Sequence, residues 1–283
     1  IGTIVCNDDT VAINTALGDA DAKQVYTCDS DEVIFPFTSR LNFTIRGKQF
    51  GNPVTHVPIG SLFCRFDGDH AVYMGSDICI FQGIWISQDY TVTPRTSGAA
   101  LLIGPEDQTM EMYDPIHSVD QNASWRTVGS YVNKIGTWKA WEGIRLGHSQ
   151  NDKVYECRNV HYQKNGIVLD RPVPYGATKL SRNFNQSDVT SPNAGYAFRI
   201  LQSDYNEFVD NYGAQCFGTY QFIFDNIINP GTWIHARGII APQIIIGGYF
   251  DNAMEGYGIS ITKTPQATET HSIQASQMYF NLQ

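Results

Sequence analysis

The chain has 283 residues, 42% of them hydrophobic and 17% charged, a length that fits one large all-β domain or two ordinary ones. Nineteen Lys and Arg stand against 28 Asp and Glu, so the net charge of −9 argues against nucleic-acid binding, DNA included, and against a polybasic membrane-surface patch. The 12% aromatic content excludes a disordered chain. No run of about 18 apolar residues is present, which argues against membrane insertion.

Short extended segments, separated by Gly, Pro, Asn and Asp, dominate the sequence. Some alternate apolar and polar residues, as a half-buried strand does, and others are rich in aromatic and β-branched residues, as interior strands are. Strands are therefore predicted at residues 41–46, 77–86, 154–162, 196–201, 216–224 and 257–262.

Helical patterns are scarce. A weak one covers residues 12–23, and a stronger one covers residues 203–212, where Phe208, Val209 and Tyr212 would share one helix face. The dipeptides Asp67-Gly68 and Asn165-Gly166 favour the tight turns of β-hairpins.

These patterns predict an all-β fold, namely an antiparallel β-sandwich of jelly-roll-like type with long loops and one to three short helices. The absence of a fixed repeat of about 20–50 residues disfavours a solenoid or a propeller. We expect one domain over residues 1–283, with a possible division near residues 172–192.

The six cysteines show no Cys-x-x-Cys pair, so a structural zinc site of the usual spacing is not expected. For the two cysteines in apolar runs, at positions 64 and 79, buried free thiols are favoured over a disulfide. Three disulfides stay possible, and the sequence leaves open the state of Cys6, Cys28, Cys64, Cys79, Cys157 and Cys216.

Local catalytic motifs and cofactor-binding motifs are absent, which leans against an enzyme without excluding one. Asp67, Asp69 and His70 form the acidic cluster best suited to a metal, because calcium loops draw ligands from alternating acidic positions. Solvated turn residues of an acidic protein explain the same cluster, and we favour that interpretation. Calcium is the one cofactor that the sequence suggests.

Two tryptophans lie three residues apart, at Trp138 and Trp141, next to Glu142. Aromatic rings on which sugars stack, with nearby carboxylates, are typical of carbohydrate sites, although a strand-end Trp pair with one member in the core is the commoner arrangement. A glycosidase would need two carboxylates about 5–10 Å apart across a groove. Glu142 and Glu156 are the first pair to test, because both border predicted strands near aromatic residues.

The ends add one hint. The sequence begins without a signal-type segment, which suggests a trimmed N-terminus, and it ends at Leu282-Gln283, which resembles the site cut by the processing cysteine proteases of picornavirus-like viruses. This ending favours a viral origin.

The sequence therefore favours a non-enzymatic structural or attachment protein, a self-associating capsid or receptor-binding component of a virion that could contact a glycan or a cell-surface receptor. The alternative is a secreted or surface β-sandwich that binds or cleaves carbohydrate. A metal-dependent enzyme built on the acidic cluster ranks below both. An extracellular or virion location is expected in the first two cases.

Overall fold

The computed structural model describes residues 8–27, 30, 33–89, 95–104, 127–147, 149–170, 178–188, 190–201, 206–224, 243–246, 249–251, 257–263, 273–275 and 279–280. These residues form one α-helix, α1 (Thr10–Gly18), and 28 β-strands. Within them, no helix has the length and apolar character needed to cross a membrane.

Three long sheets contain most of the strands. Sheet 1 consists of β1 (Gln24–Val25), β4 (Gln49–Gly51), β7 (Ile80–Gln82), β11 (Tyr131–Asn133), β15 (Lys153–Tyr155), β18 (Lys179–Ser181), β21 (Glu207–Val209), β24 (Gln243–Ile246) and β27 (Ile273–Ala275). Sheet 2 consists of β2 (Ile34–Phe37), β5 (Ser61–Cys64), β8 (Trp85–Gln88), β12 (Gly136–Trp138), β16 (Arg158–Tyr162), β19 (Phe184–Ser187), β22 (Tyr212–Ala214), β25 (Tyr249–Asp251) and β28 (Tyr279–Phe280).

Sheet 3 consists of β3 (Leu41–Phe43), β6 (Val72–Met74), β9 (Ala99–Ile103), β13 (Glu142–Leu146), β17 (Asn165–Asp170), β20 (Tyr196–Leu201), β23 (Gly218–Phe224) and β26 (Tyr257–Lys263). A small additional sheet pairs β10 (Thr127–Val128) with β14 (Ser149–Gln150).

Each coil of the chain contributes one strand to each long sheet in turn, and strands of successive coils pair in parallel, as β15 does with β11 and β18. The architecture is therefore a solenoid of the parallel β-helix type. The prediction of an all-β chain is confirmed, but the antiparallel jelly-roll-like sandwich is wrong, and so is the argument that disfavoured a solenoid.

Unequal loops explain why the repeat is invisible in the sequence. In sheet 1, β15 begins at Lys153, 22 residues after the start of β11 at Tyr131. In contrast, β11 begins 51 residues after the start of β7 at Ile80. Asn165-Gly166 is not a hairpin turn but the start of β17, and Asp67-Gly68 joins two strands of the parallel coil. The sheets run on through residues 172–192, which contain β18 and β19.

The core is built from columns of inward-pointing side chains, one from each coil. In six strands of sheet 1 the middle residue is buried, and these residues form the column Phe50, Phe81, Val132, Val154, Leu180 and Phe208. The rings of Phe50 and Phe81 stack with centroids 5.5 Å apart. Burying such columns on successive coils is the main stabilising contribution in a solenoid.

Sheet 2 carries a polar stretch in its inward column. The hydroxyl of Thr137 donates to Asn159 Oδ1 at 2.9 Å, and Asn159 Nδ2 donates to Asn185 Oδ1 at 2.6 Å. Two glycines of sheet 3 leave the necessary space, because a Cβ on Gly143 would lie 2.4 Å from Asn159 Oδ1 and one on Gly166 would lie 2.6 Å from Asn185 Oδ1. The amides are fully buried, and hydrogen bonding to one another offsets part of the cost of burial.

The helix α1 lies against β3, the edge strand of sheet 3. It confirms the weaker helix prediction, 12–23, only for residues 12–18, because the helix ends at Gly18. Asn14 mimics a neighbouring strand: its Nδ2 donates to the Arg40 carbonyl at 3.1 Å, and its Oδ1 accepts from the Asn42 N–H at 2.8 Å. Lys48 is fully buried, and its Nζ donates to the carbonyls of Ala16 and Asp19, at 3.1 and 2.6 Å, and to that of Ala22. This end of the sheet is therefore protected from edge-to-edge pairing.

The stronger helix prediction, residues 203–212, is wrong where the structure describes it. Phe208 points into the core from β21, Val209 points outward, and β22 begins at Tyr212 after a corner. Val209 and Tyr212 lie on the outer surface on either side of this corner, so the three apolar residues that suggested one helix face do not share a face.

Four cysteines are free and buried, which confirms the prediction for Cys64 and Cys79 and extends it to Cys157 and Cys216. Burial raises the pKa of the Cys157 thiol to about 12 and those of Cys79 and Cys216 to about 11. Residues 6 and 28 lie outside the described part of the chain.

Candidate functional site

The corner between sheets 1 and 2 is the same two-residue turn in successive coils. Its first residue has a positive φ at Lys134 (51°), Glu156 (53°), Arg182 (55°) and Asp210 (50°). We call these four residues the charged corner. The second residue of each turn points inward and is fully buried, so the first is held at the outer surface.

Asparagines at the buried turn position fix the two later corners. Asn183 Oδ1 accepts from the Cys157 N–H at 3.1 Å, and Asn183 Nδ2 donates to the Val154 carbonyl at 2.9 Å. Asn211 repeats the pattern one coil later, accepting from the Asn183 N–H at 3.0 Å and donating to the Leu180 carbonyl at 2.9 Å. These bonds satisfy backbone groups that the turn would otherwise bury without a partner.

The side chains of the charged corner alternate in sign along the solenoid. Arg182 Nη1 lies 3.0 Å from Glu156 Oε1, and Lys134 Nζ lies 3.9 Å from Glu156 Oε2. The Arg182 side chain is 68% exposed and that of Glu156 is 37% exposed, so these groups are accessible to a ligand.

A cavity of about 510 Å³ lies on the outer face of sheet 1 beside this corner, and we call it the sheet 1 cavity. Tyr131 and Tyr155, packed edge to face at 5.8 Å, contribute its aromatic surface. Lys179 Nζ lies 2.7 Å from Glu207 Oε2 and supplies a second ion pair. The cavity therefore combines aromatic rings with charged hydrogen-bonding groups.

A second cavity of about 530 Å³, the sheet 2 cavity, lies on the adjacent face and shares Glu156 and Arg182 with the first. Trp85, Arg158 and Phe184 project into it from sheet 2. Residues 56–58, in the connection between β4 and β5, also line it.

The aromatic rings of sheet 2 are held in position by their neighbours in the parallel register. The Trp85 ring covers Gly136, where a Cβ would come within 2.0 Å of a ring carbon. On the far side of Arg158, the ring of Phe184 stacks on Tyr212 with centroids 4.9 Å apart. Both aromatic surfaces are therefore fixed before any ligand arrives.

The structure divides the sequence-predicted carbohydrate residues between two regions. Glu156 lies in both cavities, but Trp138 lines neither; it ends β12, is 37% exposed and contacts the ring of His161 edge-on at 4.6 Å. Trp141 also lies outside the cavities, where its ring contacts the Lys164 ammonium at 5.6 Å.

Glu142 is only 3% exposed. Its carboxylate accepts from Arg145 at 2.6 Å and from Asn165 Nδ2 at 3.2 Å. It begins a strand of sheet 3 and lines neither cavity, whereas Glu156 lies at the charged corner. The structure therefore does not bring the two carboxylates together in either cavity.

The acidic cluster proposed for metal binding caps a turn. The Asp67 carboxylate accepts a hydrogen bond from the Thr96 N–H at 3.0 Å. Burial raises the pKa of this carboxyl, but hydrogen bonds from the Thr96 side chain and from backbone N–H groups outweigh burial and leave the pKa below its usual value. Asp69 accepts from Arg40 at 3.1 Å, and His70 Nδ1 accepts from the Ala99 N–H at 2.9 Å. Among the residues that the structure describes, no three His, Cys, Asp or Glu side chains are grouped to hold a metal ion, so calcium stays a prediction.

Sequence reasoning missed the outer row of sheet 2, which consists of Trp85, Arg158, Phe184 and Tyr212. One signal was present: a charged residue, an asparagine and an aromatic residue follow one another at 182–184 and again 28 residues later at 210–212. These two triplets are two successive corners of the solenoid.

A scan against models of protein families, a search of curated proteins and a search of solved structures find no match for this chain.

Proposed function

We propose that this protein binds an extended glycan across the charged corner, as an attachment protein of a virion or an extracellular surface. The observation that carries the proposal is the pair of cavities on adjacent faces, each with aromatic rings, joined at Glu156 and Arg182. A rigid solenoid with such an elongated outer face suits a chain-like ligand better than a compact one.

The chemistry of the lining agrees with a sugar ligand. The apolar C–H faces of a pyranose ring pack on aromatic rings such as Trp85 and Phe184, while its hydroxyls need charged or amide partners. Cavities of about 510 and 530 Å³ lie within the usual range of small-ligand sites, about 300–1,000 Å³.

Binding suits the geometry better than hydrolysis. The two carboxylates of the sheet 1 cavity, Glu156 and Glu207, are each ion-paired with a cation. A glycosidase needs one carboxyl free to protonate the leaving oxygen and a second facing it across the scissile bond. The cavities offer no such arrangement among their lining residues, so we propose a non-enzymatic role.

Self-association of the kind expected for a capsid subunit stays a prediction. Strand edges are the natural site of pairing between copies, but here α1 protects the edge strand β3. This helix covers one edge of one sheet, so the case for attachment rests on the two cavities and not on the strand edges.

The test is glycan binding by the Trp85→Ala variant, with Trp138→Ala as the matched control. Both tryptophans lie on the outer face of sheet 2, but only Trp85 lines a cavity. We expect an oligosaccharide array to identify a ligand of the wild-type protein. Trp85→Ala should weaken its binding by about tenfold or more, as loss of about 1.4 kcal/mol of stacking implies, and Trp138→Ala should leave it within about twofold. No binding to any oligosaccharide, or equal effects of the two substitutions, would contradict the proposal.

A further inference from the structure

The charge of the two cavities opposes the charge of the whole chain. Together they are lined by four cations, Lys134, Arg158, Lys179 and Arg182, and by two carboxylates, Glu156 and Glu207. The chain as a whole has 28 acidic and 19 basic residues. An excess of cations in the cavities of an acidic protein indicates an anionic ligand, because the local charge attracts it and the remaining surface repels it.

Arg158 differs from the other three cations. Lys134, Lys179 and Arg182 are each ion-paired with a glutamate. Arg158 is exposed, and in the part of the chain that the structure describes it has no ion pair. Its guanidinium is therefore available to a ligand without first breaking a bond within the protein.

The position of Arg158 defines how a ligand would be held. In sheet 2, Arg158 is paired with Gly136 on the strand to one side and with Phe184 on the strand to the other side. The Trp85 ring covers Gly136. Trp85 and Phe184 are three strand spacings apart, about 14 Å at about 4.8 Å for each spacing. This distance accommodates a short oligosaccharide with rings stacked at both ends and an oxyanion between them.

We infer that the glycan is anionic and that Arg158 binds a carboxylate or sulfate group of one sugar residue lying between Trp85 and Phe184. The planar guanidinium matches either oxyanion with two parallel hydrogen bonds, which a lysine cannot form. This inference rests on the proposed function and names the ligand class of the same site.

The experiment compares three oligosaccharides of equal length, one built of uronic acids, one sulfated and one neutral, by titration calorimetry. We expect the wild-type protein to bind an anionic one at least tenfold more tightly than the neutral one, with affinity falling as salt is raised. Arg158→Gln should remove the preference for an anionic over the neutral oligosaccharide, and Arg158→Lys should retain only part of that preference. The uronic-acid and sulfated ligands distinguish which oxyanion the site prefers.

Arg46→Gln is the matched control, because Arg46 is exposed in the connection between β3 and β4 and lines neither cavity. The control should leave all three affinities within about twofold, and circular dichroism should show that all three variants are folded. If the neutral ligand binds as tightly as the anionic ones, remains sensitive to Trp85→Ala and ignores Arg158→Gln, this inference is overturned while the proposed function stands. If none of the three ligands binds, this inference is overturned, and the proposed function falls with it if the oligosaccharide array also shows no ligand.

Discussion

Replacing Asn183 by alanine tests whether buried amides hold the charged corner in place. The side chain makes three hydrogen bonds: it accepts from the Cys157 N–H at 3.1 Å and donates to the Val154 carbonyl at 2.9 Å and to Asn211 Oδ1 at 3.0 Å. Asn183 is fully buried, so water cannot replace these partners without entering the core.

The expected loss follows from those contacts. Three hydrogen bonds at about 1 kcal/mol each give a decrease of about 3 kcal/mol in the free energy of unfolding, since the Cys157 N–H is left without its side-chain acceptor. For a chain of this size, this loss corresponds to a fall in Tm of about 6–12 °C, at about 2–4 °C per kcal/mol.

Thermal unfolding followed by circular dichroism measures the change, and Asn193→Ala serves as the control. Asn193 is exposed, and its substitution should change stability by less than about 0.5 kcal/mol. If Asn183→Ala lowered Tm no more than the control does, the asparagine would not stabilise the corner, and the rigid placement of Arg182 and Glu156 would lose its explanation.

Two further predictions concern buried ionisable groups. Lys48→Met removes the donor to the carbonyls of Ala16, Asp19 and Ala22, so it should lower the free energy of unfolding by about 2–4 kcal/mol. It should also speed amide hydrogen exchange in α1. Unchanged exchange in α1 would show that Lys48 does not anchor the helix. At alkaline pH, the buried thiols have a folded pKa of about 11 to 12 against 9.0 for an exposed thiol, so the stability they contribute is complete below about pH 9 and is lost as pH rises toward 11 to 12. The denaturant midpoint should therefore fall between pH 8 and pH 10.5, and an unchanged midpoint would contradict the assigned burial.

The sequence predicts strands well but not their partners. The predicted strand at 196–201 matches β20, and 257–262 matches β26 to within one residue. Alternation of apolar and polar residues reports which side of a sheet a residue faces, and this is the same in parallel and antiparallel pairs. The predicted strand at 154–162 shows the limit: it is two strands, β15 and β16, separated by a corner at Glu156 and Cys157 that belongs to no local pattern.

The candidate site could not be predicted because proximity in a solenoid follows the coils and not the chain. Trp138 and Trp141 are three residues apart, yet a corner separates them, and neither lines a cavity. Trp85 and Phe184 are 99 residues apart in sequence and only three strand spacings apart in sheet 2. A ligand that runs across the coils, parallel to the solenoid axis, therefore contacts one side chain from each coil. The relevant motif is a column of single residues, which becomes visible only when the parallel register of the strands is known.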